Sequence, residues 1–351
     1  MSPALTRYII RRGIQSIFLI WLATLIAFSI YQAAPGGPLQ FLDDDPQRNQ
    51  DDINNLERLY GIDRAIWVQY VSWFAGEDWF GSLPNGEALQ SGRCASDIDR
   101  CSRGILRLDF GRSFHFKGES VIDLIASRMQ ATFLLASTHL VVGVLGGVPL
   151  GIIAALYRSR WPDNTIRLST VVLSTVPEWW IGLILLIILG GFLGLVPLSG
   201  MQTVGDGSLI DRIHHLILPG IVGAISGWIG ISRILRFEML EVLNEDYVRT
   251  ARAKGLFERA VLFKHVLRNA LLPFVTGLSG IFLLALSGSV LFETVFSWPG
   301  MGRLFILAVN SRDYPVMMGL FVIGSVLGVI GVLMVDILYS IIDPRVRYEL
   351  S

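Results

Sequence analysis

The sequence predicts an all-α integral membrane protein with six transmembrane helices and with both termini in the cytoplasm. Of its 351 residues, 52% are hydrophobic and only 17% are charged, whereas soluble domains carry about 25% charge. Six segments are apolar over roughly the 20 residues that a helix needs to cross a bilayer. Lys and Arg are concentrated in the loops on one side of these segments, which is the pattern of cytoplasmic loops.

The first apolar segment follows Arg7, Arg11 and Arg12 and continues to about Tyr31. It is longer than the roughly 7–15 apolar residues of a signal peptide. We therefore expect an uncleaved transmembrane helix. A signal peptide is the alternative, because the small residues at 33–37 resemble a cleavage site.

Five further apolar segments complete the count, at residues 129–157, 168–196, 213–232, 270–292 and 314–335. Several carry glycines four residues apart: Gly143, Gly147 and Gly151; Gly223 and Gly227; Gly324 and Gly328. Small residues let helix backbones approach closely inside a membrane. We expect these faces to pack within the chain. The alternative is that some of them slide during transport or meet a second membrane subunit.

The third segment contains a proline and a carboxylate, Pro177 and Glu178. A proline in a membrane helix frees a backbone carbonyl, which is tolerated where it is buried or lines a cavity. An ionisable residue at such a position is a candidate for a functional site, so Glu178 is a candidate for the translocation pathway. In the alternative, the span begins near Trp179 and Glu178 lies at the membrane interface.

The charge distribution assigns sides and divides the chain. The connection between the fourth and fifth segments carries eight Lys and Arg, whereas residues 32–128 carry 15 Asp and Glu against 10 Lys and Arg. We predict a cytoplasmic N-terminus with the first helix at 1–32 and an extracytoplasmic segment with short surface helices at 33–128. A five-helix core follows at 129–341 and contains a cytoplasmic loop at 237–270. We predict a cytoplasmic tail at 342–351.

The 33–128 segment contains the only two cysteines, Cys94 and Cys101. Outside the cytoplasm a disulfide between them is plausible, and free thiols are the alternative. Two cysteines without nearby histidines make a poor metal site, so we expect no metal. Short helices in the stretch 54–74 are predicted to lie at the membrane surface. Another such helix, with Ser120 as a candidate N-cap, is predicted to lead into the second apolar segment.

The sequence lacks the common signatures of nucleotide binding and catalysis. It contains no phosphate-binding loop, no dinucleotide-binding glycine motif, no zinc-protease motif and no nucleophile elbow. The pattern therefore favours a channel, a carrier or a membrane subunit that a partner drives. We expect no catalytic residues and no cofactor bound by this chain.

The 237–270 loop, hereafter the basic loop, is predicted to hold a helix, a break and a second helix. Acids stand at the start of "NEDYVRTARAK" and basic residues towards its end, which suits the helix dipole, with Asn244 or Asp246 as a candidate N-cap. Gly255 then provides a turn or C-cap, and an amphipathic run continues to Pro273. A short polar helix between membrane helices is a suitable contact site for a cytoplasmic partner protein.

The motifs of this chain resemble those of ABC importer permeases, and in particular of the dipeptide, oligopeptide and nickel group. "DYVRTARAKG" is similar to the group's form of the cytoplasmic EAA loop, and it is followed by "NALLP". "RYIIRR", "APGGP", "LDFGRS", "FSWPGMGRL" and "DPRVR" also match in the right order over nearly the whole chain. Arg249 and Thr250 replace the Glu and first Ala of the general motif, as is usual in the peptide group.

The resemblance implies a MetI-like permease core and a defined set of partners. These are a second homologous permease, two ATP-binding cassette subunits that bind the ATP and Mg²⁺, and an extracytoplasmic substrate-binding protein. The implied coupling-loop positions are Tyr247, Arg249, Thr250, Ala251, Arg252, Ala253 and Gly255. Peptides are the implied substrate, with nickel, an opine or an oligosaccharide as alternatives. A structural subunit of a respiratory complex is the non-transport alternative.

Overall fold

The computed structural model describes residues 3–33, 51, 54–55, 57–58, 61–84, 86–90, 94, 101–116, 118–271 and 289–342. Within these residues the secondary structure is helical apart from one isolated bridge between Arg112 and Ser120. The predicted all-α class is therefore confirmed for this part of the chain. The fifth predicted span falls mostly on residues 272–288, and the predicted tail lies mostly beyond 342, so both are outside the described residues.

The helices follow one another in a simple order along the chain. They are α1 (Pro3–Ala33), α2 (Ile66–Ala75), α3 (Val121–Leu156), α4 (Trp161–Ser174), α5 (Glu178–Leu185), α6 (Leu209–Val242), α7 (Asp246–Ala253), α8 (Glu258–Ala260), α9 (Val290–Val295), α10 (Met301–Asn310) and α11 (Tyr314–Ile342). π-Helical segments extend α5 over Leu186–Phe192 and α8 over Val261–Leu267.

Four of the described helices are long and apolar enough to cross a membrane: α3 and α6 over their whole length, α1 from Ile10 and α11 as far as Asp336. The third predicted span is divided. Here α4 and the extended α5 meet at 92° across a break of residues 175–177. Pro177 lies in this break, where its fixed φ and missing N–H prevent helix continuation.

Of two predicted helix boundaries, one is confirmed and one was wrong. The helix predicted after Ser120 begins at Val121 and continues as α3, the second predicted span. The fourth segment was expected to end near 232, but α6 continues to Val242. Residues 237–242 of the predicted loop therefore belong to this helix, because hydropathy marks the apolar part of a helix and not its polar extension.

The chain divides into two compact units. One comprises residues 1–13, 130–303 and 330–351, and the other comprises residues 14–129 and 304–329. The first unit contains two buried apolar clusters. One lies around the basic loop, and the other joins α3, α5, α6 and the region of α9 through buried side chains such as Leu135, Val222 and Trp298.

The glycines of α3 pack against α6 inside the first unit. A Cβ on Gly143 would lie 3.6 Å from the Cα of Gly227, and one on Gly147 would lie 2.7 Å from the Cβ of Ile231. One on Gly151 would lie 3.0 Å from the Cβ of Leu235. This is the close intrachain packing that we expected of small residues. Gly324 and Gly328 on α11 differ, because their Cβ positions have no described neighbour within 4 Å.

The second unit contains the described part of the 33–128 segment. Short 3₁₀ helices occur at Asp78–Ser82, Gly86–Leu89 and Ile105–Arg107, and a disulfide joins Cys94 to Cys101. The carboxylate of Asp313, which is fully buried, accepts hydrogen bonds from the Ser113 hydroxyl and from the backbone N–H groups of Phe114 and His115. This carboxylate fixes the loop that follows the "LDFGRS" motif.

Candidate functional site

The basic loop folds as the predicted helix, turn and second helix. α7 covers Asp246–Ala253 and ends in a turn at Gly255. Neither predicted N-cap holds this position, because Glu245 is the N-cap and Asp246 is the first helical residue. The Asn244 side chain instead donates a hydrogen bond to the Leu240 carbonyl, 2.8 Å away, at the end of α6.

One side of α7 is seated on the apolar core. Val248 is 0% exposed and Ala251 is buried. Their spacing of three places both on one face of a helix. The buried cluster beneath them is formed by Ala155, Leu235, Met239, Val261, Leu262, Val266 and Ala270. The amide of Asn269 adds a polar link by donating to the Tyr247 hydroxyl over 2.9 Å. The position of α7 therefore depends on α3, on α6 and on the segment after α8.

The other side of α7 is exposed and basic. Tyr247, Arg249, Thr250, Arg252 and Ala253 are all exposed. Of the seven predicted coupling positions, the structure thus places Ala251 in the seat of the helix and these five on its surface. Phe257, which the sequence analysis did not single out for exposure, is 87% exposed. An aromatic side chain without cover beside exposed arginines has the composition of a protein contact surface.

Gly255, the seventh position, adopts a left-handed backbone conformation with φ +77°, and a Cβ there would meet nothing within 4 Å. Its N–H donates to the Arg252 carbonyl over 2.9 Å. Across the turn, Arg252 donates two hydrogen bonds to the Glu258 carboxylate, the shorter at 2.7 Å. These hydrogen bonds lower the pKa of Glu258 below its ordinary value. The turn therefore requires a residue that tolerates positive φ.

A buried ion pair ties α6 to the start of α4 near the basic loop. Both oxygens of Asp163 accept hydrogen bonds from the Arg236 guanidinium, at 2.7 and 2.8 Å, and the Asp163 side chain is 0% exposed. The Ser159 N–H also donates to Asp163 over 2.8 Å. The sequence does not predict this pair, because its members are 73 positions apart and nothing in the local pattern marks either of them.

Glu178 is the first residue of α5, directly after the break at Pro177. Its carboxylate accepts a hydrogen bond from the Ser226 hydroxyl of α6 over 2.6 Å. The side chain is partly exposed. The structure thus places Glu178 at a helix start and in contact with α6, which is compatible with both alternatives that the sequence left open.

A second carboxylate, Glu293, is fully buried in the "FSWPGMGRL" region. It accepts hydrogen bonds from the Thr132 hydroxyl over 2.9 Å and from the Arg303 N–H over 3.0 Å. Nearby, the indole N–H of Trp298 donates to the Ala131 carbonyl over 2.8 Å. Because its hydrogen bonds come from buried protein groups, we interpret Glu293 as a support for this loop and not as a pathway residue.

Comparison with known proteins identifies relatives over the full length of the chain. A family model described as "Binding-protein-dependent transport system inner membrane component" matches residues 147–348, and the model for the N-terminal part of such components matches residues 5–136. The oligopeptide transport system permease protein AppB of Bacillus subtilis is 39% identical over 342 residues, which are 97% of this chain and 99% of the relative.

Two further relatives also align over nearly their whole length. The dipeptide transport system permease protein DppB of Lactococcus lactis is 30% identical over 343 residues, covering 98% of this chain and 100% of the relative. The glutathione transport system permease protein GsiC of Escherichia coli is 32% identical over 342 residues, covering 97% and 99%.

Proposed function

Because this chain belongs to the family of binding-protein-dependent transport system inner membrane components, we propose that it is the transmembrane permease subunit of an ATP-driven importer of peptides. The relatives named above are permeases for oligopeptides, dipeptides and glutathione, itself a small peptide, and each aligns with nearly the whole chain. Membership of this family also places the chain in the plasma membrane of a prokaryote as a multi-pass protein and argues against a respiratory subunit.

The basic loop is the structural feature that carries this proposal. Its helix α7 is held from below by buried side chains and presents arginines, and the uncovered Phe257 follows it beyond the turn at Gly255. In an ATP-driven importer, a permease without a nucleotide motif of its own receives energy through contact with the subunits that bind ATP. Arginines and aromatic side chains are among the residue types that anchor protein interfaces.

The complete arrangement that we propose has six spans with both termini in the cytoplasm, residues 33–128 outside and the basic loop inside. A second homologous permease, two ATP-binding cassette subunits and an extracytoplasmic binding protein complete the importer. ATP and Mg²⁺ bind to the cassette subunits, and this chain binds no cofactor. In this arrangement α7 couples to the ATPase, and Glu178, which contacts α6 through Ser226, lies beside the translocation pathway.

The experiment that tests the coupling surface compares two exposed phenylalanines. Phe257 is 87% exposed in the basic loop, and Phe192 is 81% exposed at the end of the π-helical extension of α5. An aromatic anchor of an interface contributes about 2 kcal/mol or more when truncated. We therefore expect Phe257→Ala to reduce the ATPase retained by the solubilised, tagged permease by roughly 30-fold, and Phe192→Ala to leave it unchanged.

Two results would contradict the proposal. Equal retention of ATPase by both variants would remove Phe257 from the docking surface. Substrate class is tested separately, by uptake of a labelled dipeptide in cells with and without the intact chain. If uptake of the peptide is unaffected while uptake of nickel is lost, the peptide assignment is wrong although the permease assignment remains.

A further inference from the structure

The second unit contains an open cavity of about 910 Å³ that the proposed coupling does not use. Its walls come from the 33–128 segment, from the end of α1 and from the start of α11. The volume lies in the range of sites that bind small ligands, about 300–1,000 Å³. We propose that this cavity binds the free C-terminal carboxylate of a short peptide through Arg103, with the last side chain against an aromatic wall.

The aromatic wall is preorganised by ring contacts. Phe28 packs against Trp73 with ring centroids 5.9 Å apart and against Tyr31 at 6.2 Å. All three residues line the cavity. Offset and tilted rings of this kind form an apolar surface that offers large contact area at little conformational cost. An apolar or aromatic side chain of a ligand can therefore pack against this wall.

Among the charged side chains that line the cavity, one guanidinium group is available to bind a ligand. Both oxygens of Asp109 accept backbone hydrogen bonds, from the N–H of Arg103 at 2.8 Å and from that of Gly111 at 3.0 Å. Arg107 is paired with Asp78. The exposed guanidinium of Arg103 has no ion-pair partner among the residues that the structure describes. A planar guanidinium binds a carboxylate or a phosphate with two charge-assisted hydrogen bonds.

The backbone that carries Arg103 is fixed on both sides. On one side, Cys101 is linked to Cys94 by the disulfide. On the other, the chain at Gly104 approaches the end of α2 so closely that a Cβ would collide with the backbone of Gly76. The N–H of Glu77 adds a 2.8 Å hydrogen bond to the Ser102 carbonyl. Fixing a binding group before the ligand arrives reduces the entropy lost on binding.

The choice of an anion rests on the cavity itself, whereas the choice of a peptide, whose C-terminus is a carboxylate, rests on the proposed importer. An acidic segment of a partner protein would offer a carboxylate as well. The two occupants differ in where that carboxylate lies, because a peptide substrate ends in one and a protein segment carries it on a side chain. This difference can be measured on the intact chain.

The experiment uses the full chain in lipid nanodiscs and isothermal titration calorimetry. The probe is the tripeptide alanyl-alanyl-phenylalanine with a free C-terminus, and its comparison is the C-terminal amide. We expect saturable binding of the acid, at least 10-fold weaker binding of the amide and at least 10-fold weaker binding of the acid to Arg103→Gln. Arg58→Gln removes another exposed arginine of the same segment that does not line the cavity, and it should bind as the unmodified chain does.

Several outcomes would overturn the inference. They are absence of binding, equal binding of acid and amide, and equal binding by the Arg103→Gln and Arg58→Gln variants. Binding of a further probe, alanyl-glutamyl-phenylalanine amide, at least as tight as that of the free acid would assign the cavity to an acidic protein segment. Comparison of acid with amide on the unmodified chain decides the question even if Arg103→Gln does not fold. The proposed import function fails separately, if peptide uptake by cells does not depend on this chain.

Discussion

Replacement of Gly255 tests whether the shape of the basic loop transmits energy. Gly255 has φ +77°, and there is open space where a Cβ would point. Any cost of Gly255→Val therefore comes from the backbone and not from a collision. We expect this variant to lose peptide-stimulated ATP hydrolysis and peptide uptake while the chain still inserts into the membrane.

The magnitude follows from the conformation. An L-residue other than glycine costs roughly 1–2 kcal/mol in the left-handed region, and a β-branched residue such as valine is an outlier there. A difference of 1–2 kcal/mol changes the ratio of two conformations by about 5–30-fold. Asparagine tolerates this region better than alanine or valine, so coupling should decrease in the order glycine, asparagine, alanine, valine.

The assay is peptide-stimulated ATP hydrolysis by the reconstituted importer, measured beside peptide uptake. Gly194 provides a matched control, because it has φ +63° and also has open space at its Cβ position, but lies after α5 and outside the basic loop. Gly194→Val should have the same backbone cost, and ATP hydrolysis should remain coupled to peptide uptake. Normal stimulated hydrolysis in Gly255→Val, or equal losses in both variants, would refute the argument that the turn in the basic loop is the coupling element.

Three further predictions concern carboxylates. Asp163→Asn leaves Arg236 without its charged partner. We expect the free energy of unfolding to fall by about 3 kcal/mol. This is the lower end of the range for a broken buried pair, because Arg236 keeps some access to water. Thermal unfolding measures it, and the exposed Asp246→Asn is the control. Glu178→Gln should change the rate of transport without changing expression, and unchanged transport would remove Glu178 from the pathway. The pKa of Glu258 is lowered because Arg252 donates hydrogen bonds to its carboxylate. Its small contribution to stability is therefore present at pH 7. This contribution is lost as the pH falls below the ordinary glutamate pKa of about 4.3. The difference in melting temperature between the unmodified chain and Glu258→Gln should therefore vanish in acid, and a difference that persists there would contradict the assignment.

Features set by neighbouring residues were predictable from the sequence. The order of acids, arginines and Gly255 predicts a helix and a turn, and the structure contains α7 and a positive φ at that glycine. Pro177 predicts the break between α4 and α5, although not its angle of 92°. In both cases the physical cause is local, because backbone conformation and the helix dipole depend on residues only a few positions apart.

Features set by distant residues were not predictable from one sequence. Asp163 pairs with Arg236, Glu293 binds Thr132 and Asp313 binds Ser113, over separations of 73, 161 and 200 positions. Nothing in the local pattern distinguishes such a carboxylate from a solvated one. Similarly, the sequence predicts an amphipathic run after Gly255 but does not predict that Phe257 in this run is uncovered, because periodicity shows which residues share a face but not what covers it.

The helix α6 connects the two candidate sites that the sequence suggested separately. Its residues Leu235 and Met239 lie beneath α7, and Ser226 on the same helix donates to Glu178. Met239 lies thirteen positions after Ser226 in the same α-helix, a length of roughly 20 Å. Pro219, the proline inside α6, precedes this stretch and does not interrupt it. We therefore propose that a displacement of α7 that moves Met239 would reach the hydrogen bond at Glu178 along this unbroken helix, and that the Asp163–Arg236 pair would make the start of α4 move with it.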